Sequence, residues 1–367
     1  MEKKTGLRRK SGYIIACVLL LAMLGGCAAS KEQKNKEQIS EGSSGERTEE
    51  NNEASHDLFA MDTYMTVTAY GAHADEAVEK AENEIMRLDA LLSARDEASE
   101  TAKLNQAGKG ILSEDAFFLL KRSLELYEDT EGAFDIAIYP IMQAWGFPTG
   151  EHRVPQKKDL EKLLPLADPS QIICDEENRN ISFAREGMEI DFGGIAKGYT
   201  SGRVMEIYQE CGITSGIVNL GGNVQVLGRK QDQSLWKVAV QSPEEDGSYL
   251  GVLSIENCAV ITSGGYERYF EQDGTIYHHI IDPATGYPAE NGLVSVTVVS
   301  EDGTLADALS TSLFVMGKDK AVEYWQAHSG EFEAVLLDEN GTIYVTDGIS
   351  DHFESDYDVQ VVCKPQN

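Results

Sequence analysis

The chain has 367 residues, of which 41% are hydrophobic, so it is long enough and apolar enough to bury a large core. Its 62 acidic and 31 basic residues give a formal net charge of −31, which excludes non-specific attraction to a nucleic acid backbone. Nucleic acid is therefore not an expected partner. The 34 glycines and 9 prolines follow no collagen-like or low-complexity period.

Residues 1–26 have the pattern of an export signal. Five basic residues precede an apolar run over 13–24, which is too short to span a bilayer comfortably. The run leads into Leu-Gly-Gly and then Cys27, which resembles the lipobox of bacterial lipoproteins. That resemblance implies cleavage before Cys27, lipid attachment to its sulfur, and a protein held on the extracytoplasmic face of the cell membrane. An ordinary secretory signal and a single anchor helix are the alternatives.

Residues 28–57 are rich in Lys, Glu, Gln, Asn, Ser and Gly, a composition that cannot offset the entropy of ordering. We therefore predict a lipidated cysteine and a disordered tether over 27–57, followed by one folded domain over 58–367. The cysteines of that domain form no CxxC pair and no zinc pattern, and we assign them no chemistry. They are Cys174, Cys211, Cys258 and Cys363.

Hydrophobic periodicity and turn residues predict the elements of the domain. The first half should contain a strand at 64–70, helices over 75–92 and from 113, paired short strands at 181–183 and 188–190, and a helix over 194–210. The second half should contain strands at 217–220, 236–240, 250–255, 259–262, 275–281 and 294–299, helices over 304–316 and 319–328, and strands at 334–337 and 342–345. Helices cluster early and strands late, which favours an α+β fold with mixed or antiparallel sheets flanked by helices.

Asp307 and Thr311 are the first candidates for chemistry. They lie four residues apart on a predicted helix, so a carboxylate and a hydroxyl share one face. Oxygen ligands without a nearby His or Cys suit Mg²⁺. A solvated acid in the first helical turn and a surface hydroxyl would show the same spacing.

The segment from Asp191 to Lys197 is the second candidate. A strand end leads through Gly193 and Gly194 into a helix, which points backbone N–H groups at an anion, and Lys197 would add a positive charge for phosphate. The G-x4-G-K-[ST] spacing of a P-loop is absent. A tight turn whose glycines are needed for steric reasons is the alternative.

Two histidines before an Asp-Pro turn are the third candidate. Neighbouring residues of a strand face opposite sides, so His278 and His279 cannot both point into one site. A neutral imidazole there could act as a base or as a hydrogen-bond partner. A partly exposed strand histidine is the alternative.

Taken together, these segments resemble one family, the flavin transferases called ApbE, or FAD:protein FMN transferases. The resemblance covers roughly residues 60–350 and depends on the joint order of its motifs. They are Met61-Asp62-Thr63, Gly132-Ala133-Phe134-Asp135, DFGGIAKG at 191–198, NLGGN at 219–223, Ser263-Gly264, HIIDPATG at 279–286, and Ala306-Asp307 with Thr311.

The resemblance implies that the protein binds FAD and Mg²⁺ and moves FMN onto a Thr or Ser hydroxyl of an acceptor flavoprotein, releasing AMP. It implies that Asp307 and Thr311 ligate the metal through their side chains and Gly194 through its carbonyl. His279 resembles the histidine implicated in the transfer step. The residues implied to contact FAD are Met61, Ala133, Phe134, Asp135, Asp191 and Lys197.

Two positions depart from the family pattern. Arg95 stands where many members have an aromatic residue that packs against the flavin dinucleotide, although a guanidinium can also stack on a ring. Asn223 stands where an acid is frequent. Two other functions are alternatives. An FAD pyrophosphatase would use the same residues with water as the nucleophile. A binding lipoprotein would only hold a flavin and pass it to a transport or electron-transfer partner.

Overall fold

The computed structural model describes residues 52–244 and 246–365, so the predicted signal, Cys27 and the tether up to residue 51 lie outside the described residues. The helices are α1 (Ala74–Leu92), α2 (Glu100–Ala107), α3 (Glu114–Asp129), α4 (Tyr139–Trp145), α5 (Lys157–Leu163), α6 (Ala196–Glu210), α7 (Gly303–Met316) and α8 (Lys318–Ala327). The strands of the first half are β1 (Glu53–Ala60), β2 (Thr63–Tyr70), β3 (Lys109–Ile111), β4 (Ile172–Asp175), β5 (Asn180–Phe183), β6 (Ser215–Leu220) and β7 (Asn223–Leu227). Those of the second half are β8 (Trp236–Gln241), β9 (Tyr249–Ile255), β10 (Ala259–Gly264), β11 (Tyr269–Gln272), β12 (Thr275–His278), β13 (Leu293–Ser300), β14 (Glu333–Asp338), β15 (Ile343–Thr346), β16 (Phe353–Glu354) and β17 (Val359–Val362).

A nine-stranded sheet runs through the molecule in the order β1-β2-β6-β7-β10-β13-β14-β15-β17. Its neighbours are antiparallel except for β15 and β17, which are parallel. Smaller sheets are formed by β16-β9-β8, by β3-β5-β4 and by the hairpin β11-β12. The mixed sheets and their flanking helices confirm the predicted α+β class.

Both faces of the large sheet are covered over its central strands. Val260 on β10 belongs to a core shared with the β16-β9-β8 sheet, whereas its neighbour Ile261 belongs to a core shared with α7. At the β1-β2 end, Val67 packs with Ile85 of α1 and Val204 of α6. The helical face therefore brings α6 and α7 against the sheet side by side.

The first strand begins earlier than the sequence predicts. β1 starts at Glu53 and pairs with β2 along its whole length, so the predicted start of the folded domain at residue 58 is wrong. The physical reason is that β1 is an edge strand in which only Ala54 and Ala60 are buried, so its composition resembles that of a tether.

Two further predictions differ from the structure. Residues 188–190 form no strand, because the side chain of Asn105 takes the place of a neighbouring strand and bonds both the N–H and the carbonyl of Ile190, each at 2.8 Å. The strand predicted over 275–281 ends at His278, after which Ile281 makes only an isolated bridge to Pro288. Within the described ranges, no helix combines the length and the apolar character needed to cross a membrane.

Candidate functional site

Two tight hairpin turns meet at one edge of the site. Met61 and Asp62 join β1 to β2 with φ of 48° and 61°, and Gly221 and Gly222 join β6 to β7 with φ of 65° and 98°. Positive φ at both central residues is the requirement of a type I′ turn. A Cβ atom at Gly221 would lie 2.2 Å from Thr63 Oγ1, so the two turns are in contact.

Met61 is held in a conformation that its side chain disfavours. Its backbone N–H donates to Asp89 Oδ1 on α1 at 3.0 Å. Its Sδ atom lies 3.8 Å from Thr200 Oγ1 on α6. The Met61–Asp62 turn is thereby fixed beside the first turns of α6.

The starts of α6 and α7 touch, and this contact places Asp307. A Cβ atom at Gly198 would lie 2.1 Å from the carbonyl oxygen of Gly303 and 2.6 Å from Asp307 Cβ. Asp307 is only 4% exposed, and its Oδ2 accepts the Gly198 N–H at 2.8 Å. Its Oδ1 accepts Asn223 Nδ2 at 2.9 Å and lies 3.8 Å from Lys197 Nζ. A lysine and a buried carboxylate thus stand together at the start of α6.

Thr311 and Gly194 lie close to this group. Thr311 follows Asp307 by one turn of α7, and its Oγ1 lies 3.2 Å from Ser263 Oγ on β10. Gly194 precedes α6 and packs so closely on Phe134 that an added Cβ would lie 3.4 Å from Phe134 Cε2.

Asp307 and Thr311 offer side-chain oxygens, which is the type of ligand atom that Mg²⁺ prefers. Each Asp307 carboxylate oxygen accepts one hydrogen bond, so each keeps a lone pair for a cation. No group of three or more His, Cys, Asp or Glu residues that could hold a metal exists within 52–244 and 246–365. A cation at Asp307 would therefore take further oxygens from a bound phosphate and from water, which is the usual environment of Mg²⁺ in phosphate-transfer sites.

One ring nitrogen of His279, Nε2, has no hydrogen-bond partner within residues 52–244 and 246–365. A carbonyl can only accept, so the contact of 3.1 Å between Nδ1 and the Arg268 carbonyl oxygen places the proton of the neutral ring on Nδ1. The same oxygen accepts the His279 backbone N–H at 3.0 Å. Burial, with help from the positive charge of Arg268, lowers the pKa of His279 to about 3. His279 is therefore neutral at physiological pH, with Nε2 available as a proton acceptor.

His278 points elsewhere, as the alternation of a strand predicts. Its Nε2 bonds the Ala289 carbonyl at 3.2 Å, and its ring packs edge-on against Phe314 at a centroid distance of 5.5 Å. Its ring is therefore tied to the segment before β13 and to α7, and not to the Arg268 carbonyl.

Asp191 and Asp135 are in different environments. Asp191 Oδ1 accepts the Gly193 N–H at 3.2 Å; burial raises the pKa of Asp191, while the nearby charges of Arg268 and Arg95 oppose that shift. Asp135 Oδ1 accepts the Ala137 N–H at 2.7 Å, and its buried Oδ2 has no partner among the residues described. Burial, together with the charge of Asp168, raises the pKa of Asp135 to about 7.

Arg95 connects two walls of the site. Its guanidinium pairs with Asp62 in the β1-β2 turn and donates to the Pro148 carbonyl, the latter at 2.9 Å. Arg95, which replaces the aromatic residue of the family pattern, therefore has protein partners of its own. The sequence did not indicate that pairing, nor the roles of Asp89 and of the Arg268 carbonyl, because each contact joins distant segments or involves a backbone atom.

Comparison with known proteins assigns the chain to a family. The sequence profile of the ApbE family matches residues 61–336. The chain belongs to the ApbE family. Among the relatives of this ApbE chain, the FAD:protein FMN transferase of Klebsiella pneumoniae (strain 342) is 34% identical over 266 residues, which cover 71% of this chain and 82% of that protein. The protein of the same name from Treponema pallidum is 32% identical over 311 residues, covering 80% and 85%.

Solved structures of ApbE proteins have the same fold. The ApbE protein of Thermotoga maritima is 32% identical and superposes with a TM-score of 0.77, covering 82% of this chain and 99% of that one. The apo form of the flavinyl transferase ApbE from Pseudomonas stutzeri is 27% identical with a TM-score of 0.73, covering 83% and 97%. The predicted family is thereby confirmed.

Proposed function

We propose that this protein transfers FMN from FAD to a Thr or Ser hydroxyl of an acceptor flavoprotein and releases AMP. The observation that carries the proposal is membership in the ApbE family, with relatives named FAD:protein FMN transferase over up to 80% of the chain. The site contributes a neutral histidine, a lysine at a helix start and a buried carboxylate. These are the groups that a phosphoryl-type transfer needs.

The proposed reaction balances as a single displacement. The acceptor hydroxyl oxygen attacks the FMN phosphorus, and its proton passes to His279 Nε2. The bond between that phosphorus and the bridging oxygen breaks, and the oxygen leaves with AMP. A pKa of about 3 makes His279 a weak base in the ligand-free protein. The negative charges of a bound pyrophosphate would offset the positive charges of Arg268 and Lys197. The pKa of His279 would then rise towards the pH at which the enzyme works.

The start of α6 is the proposed pyrophosphate site. The positive end of the α6 dipole and the Lys197 ammonium favour an anion there. A magnesium ion held by Asp307, Thr311 and the Gly194 carbonyl would neutralise charge on the phosphate oxygens and on the departing AMP. We propose that the remaining FAD contacts come from Met61, Ala133, Phe134, Asp135 and Asp191.

The test mixes the chain with FAD, Mg²⁺ and an acceptor flavoprotein domain, and measures the flavin mass on the denatured acceptor and AMP in solution. The proposal predicts both products, and no label on an acceptor whose target hydroxyl residue is replaced by Ala. AMP with free FMN and an unlabelled acceptor would instead favour a pyrophosphatase or an acceptor that this protein does not modify. FAD that stays bound and intact would establish a flavin-binding lipoprotein.

We propose separately that the protein is a lipoprotein attached through Cys27 to the extracytoplasmic face of the cell membrane. The support is the lipobox-like sequence before Cys27. Cys27→Ser should move the protein from the membrane fraction to the soluble fraction and abolish labelling by a fatty acid analogue. A variant that stays membrane-bound and labelled would refute lipidation at this cysteine.

A further inference from the structure

Three hydroxyl groups form a row between β10 and α7. Ser263 Oγ lies 2.8 Å from Ser310 Oγ and 3.2 Å from Thr311 Oγ1. Ser310 Oγ in turn lies 2.8 Å from the backbone oxygen of Asp307. The row therefore links the hydroxyl of Thr311 to the backbone of Asp307 through two serines.

The direction of every hydrogen bond in the row follows from counting protons. Each hydroxyl has one proton, and Ser310 must donate its proton to Asp307 because a carbonyl only accepts. Ser263 must then supply the proton of its bond with Ser310. Thr311 must in turn supply the proton of its bond with Ser263. No other assignment of the three protons makes all three bonds.

The lone pairs of Thr311 Oγ1 follow from this direction. Its proton points towards β10, and no other hydrogen bond reaches this oxygen within the part of the chain that the structure describes. Both lone pairs are therefore left for a partner on another side. An oxygen in this state can accept from a donor or ligate a cation, but it cannot present a proton to one.

We propose that Ser263 is a positioning residue that orients the Thr311 hydroxyl to ligate a divalent cation shared with Asp307. The inference rests on the proposed function, because the cation belongs to the transfer reaction. In this role Ser263 acts through Thr311, by accepting its proton, and not as a ligand of the cation. Without it, that proton is free to rotate towards the cation and oppose its binding.

Ser263→Ala removes the hydrogen-bond acceptor of the Thr311 hydroxyl. Ser263→Thr restores a hydroxyl on a residue type that suits a strand. Ser312→Ala is the matched control. Ser312 is also on α7 and fully buried, but its hydroxyl donates to the Ala308 carbonyl at 2.7 Å and takes no part in the row. Ser310→Ala is a second test, because it frees the Ser263 proton and removes the fixed direction without touching Thr311.

The measurement is Mn²⁺ binding to the FAD-loaded chain, monitored through the electron paramagnetic resonance signal of free Mn²⁺. Competition by Mg²⁺ and thermal unfolding are measured in parallel. Ser263→Ala should weaken binding about 10-fold or more, as loss of a group that orients a ligand commonly does. Ser310→Ala should weaken it less, while Ser263→Thr and Ser312→Ala should stay within about twofold of wild type.

Wild-type affinity in Ser263→Ala, or an equal loss in Ser312→Ala, would overturn the role of Ser263 and leave the transferase proposal intact. A wild-type protein that binds no Mn²⁺ with FAD would overturn the inference as well. In that case, flavin labelling of the acceptor in the presence of EDTA shows whether the proposed transfer stands without a cation.

Discussion

Gly198 and Gly303 bring the backbones of α6 and α7 into direct contact. A Cβ atom at Gly198 would lie 2.1 Å from the Gly303 carbonyl oxygen, and one at Gly303 would lie 2.7 Å from the Gly198 carbonyl oxygen. Because Lys197 precedes one of these glycines and Asp307 lies one turn beyond the other, the distance between the helices sets the distance between the two charged groups.

Gly198→Ala should therefore damage both stability and activity. The added methyl group overlaps backbone atoms, so the helices must separate, at a cost of roughly 1–3 kcal/mol in the free energy of unfolding. Flavin transfer should fall at the same time because Lys197 and Asp307 move apart. Urea unfolding and acceptor labelling measure the two effects.

Gly202→Ala is the control for that experiment. Gly202 is one turn further along α6, and an added Cβ would have no atom within 4 Å. Alanine is the better helix former, so this variant should gain roughly 0.5–1 kcal/mol and keep its activity. Equal behaviour of the two variants would contradict the tight helix contact.

Replacement of His279 should separate catalysis from binding. His279→Gln removes the proton acceptor, so transfer should fall about 10²- to 10⁴-fold while the affinity for FAD changes little. Single-turnover labelling and a titration of flavin fluorescence give the two quantities. His278→Gln removes the ring that packs edge-on against Phe314 and should lower the melting temperature, yet transfer per folded molecule should stay within about threefold. Unchanged transfer in His279→Gln would exclude the proposed base.

Asn223→Asp should make stability depend on divalent cations. Asn223 is 2% exposed and donates to Asp307 Oδ1 at 2.9 Å, so the change creates two buried carboxylates in contact. The melting temperature should fall in EDTA and recover with Mg²⁺ and FAD by more than the wild-type protein gains. Asn219→Asp, at an exposed position in the same hairpin, should show no such difference. An identical response to Mg²⁺ in both variants would argue against a cation at Asp307.

Asp135→Asn should change how stability depends on pH. The pKa of Asp135 is raised to about 7 in the folded protein, whereas an unfolded Asp titrates near 3.9. The protonated form of Asp135 stabilises the folded protein. This contribution is fully present below the pKa of the unfolded state and is lost as the pH rises through about 7. Asn keeps the bond from the Ala137 N–H without the ionisation. The ligand-free variant should match wild type in acid and exceed it by roughly 1–4 kcal/mol at pH 8. Urea unfolding at both pH values tests this, and a constant difference would refute it.

Sequence periodicity predicted those elements that bury a regular stripe of side chains. α1 begins at Ala74 against a predicted 75, and α7 covers Gly303–Met316 against a predicted 304–316. α2 was missed because it buries only Thr101 and Leu104, too few apolar residues to form a pattern. β7 was missed because its first residue, Asn223, directly follows Gly221 and Gly222, the two glycines of the turn, so no regular strand pattern leads into it.

The site was predictable only where its residues are neighbours in sequence. The spacing of Asp307 and Thr311 placed them on one helix, and the structure has both on α7. The bonds from Asn223 and Gly198 to Asp307 join segments that no local pattern relates. The tautomer of His279 depends on the Arg268 carbonyl, a backbone atom that residue types do not report.

The position of β1 determines how mechanical tension would enter the domain. β1 is the edge strand, and Glu53, its first residue, is paired with Tyr70 at the end of the hairpin far from the turn. A pull on the preceding chain would therefore open the β1-β2 pairs one after another, instead of shearing them all at once. The opening would reach the Met61–Asp62 turn last. Met61 therefore lies at the end of the hairpin that is farthest along the chain from the point where tension would enter.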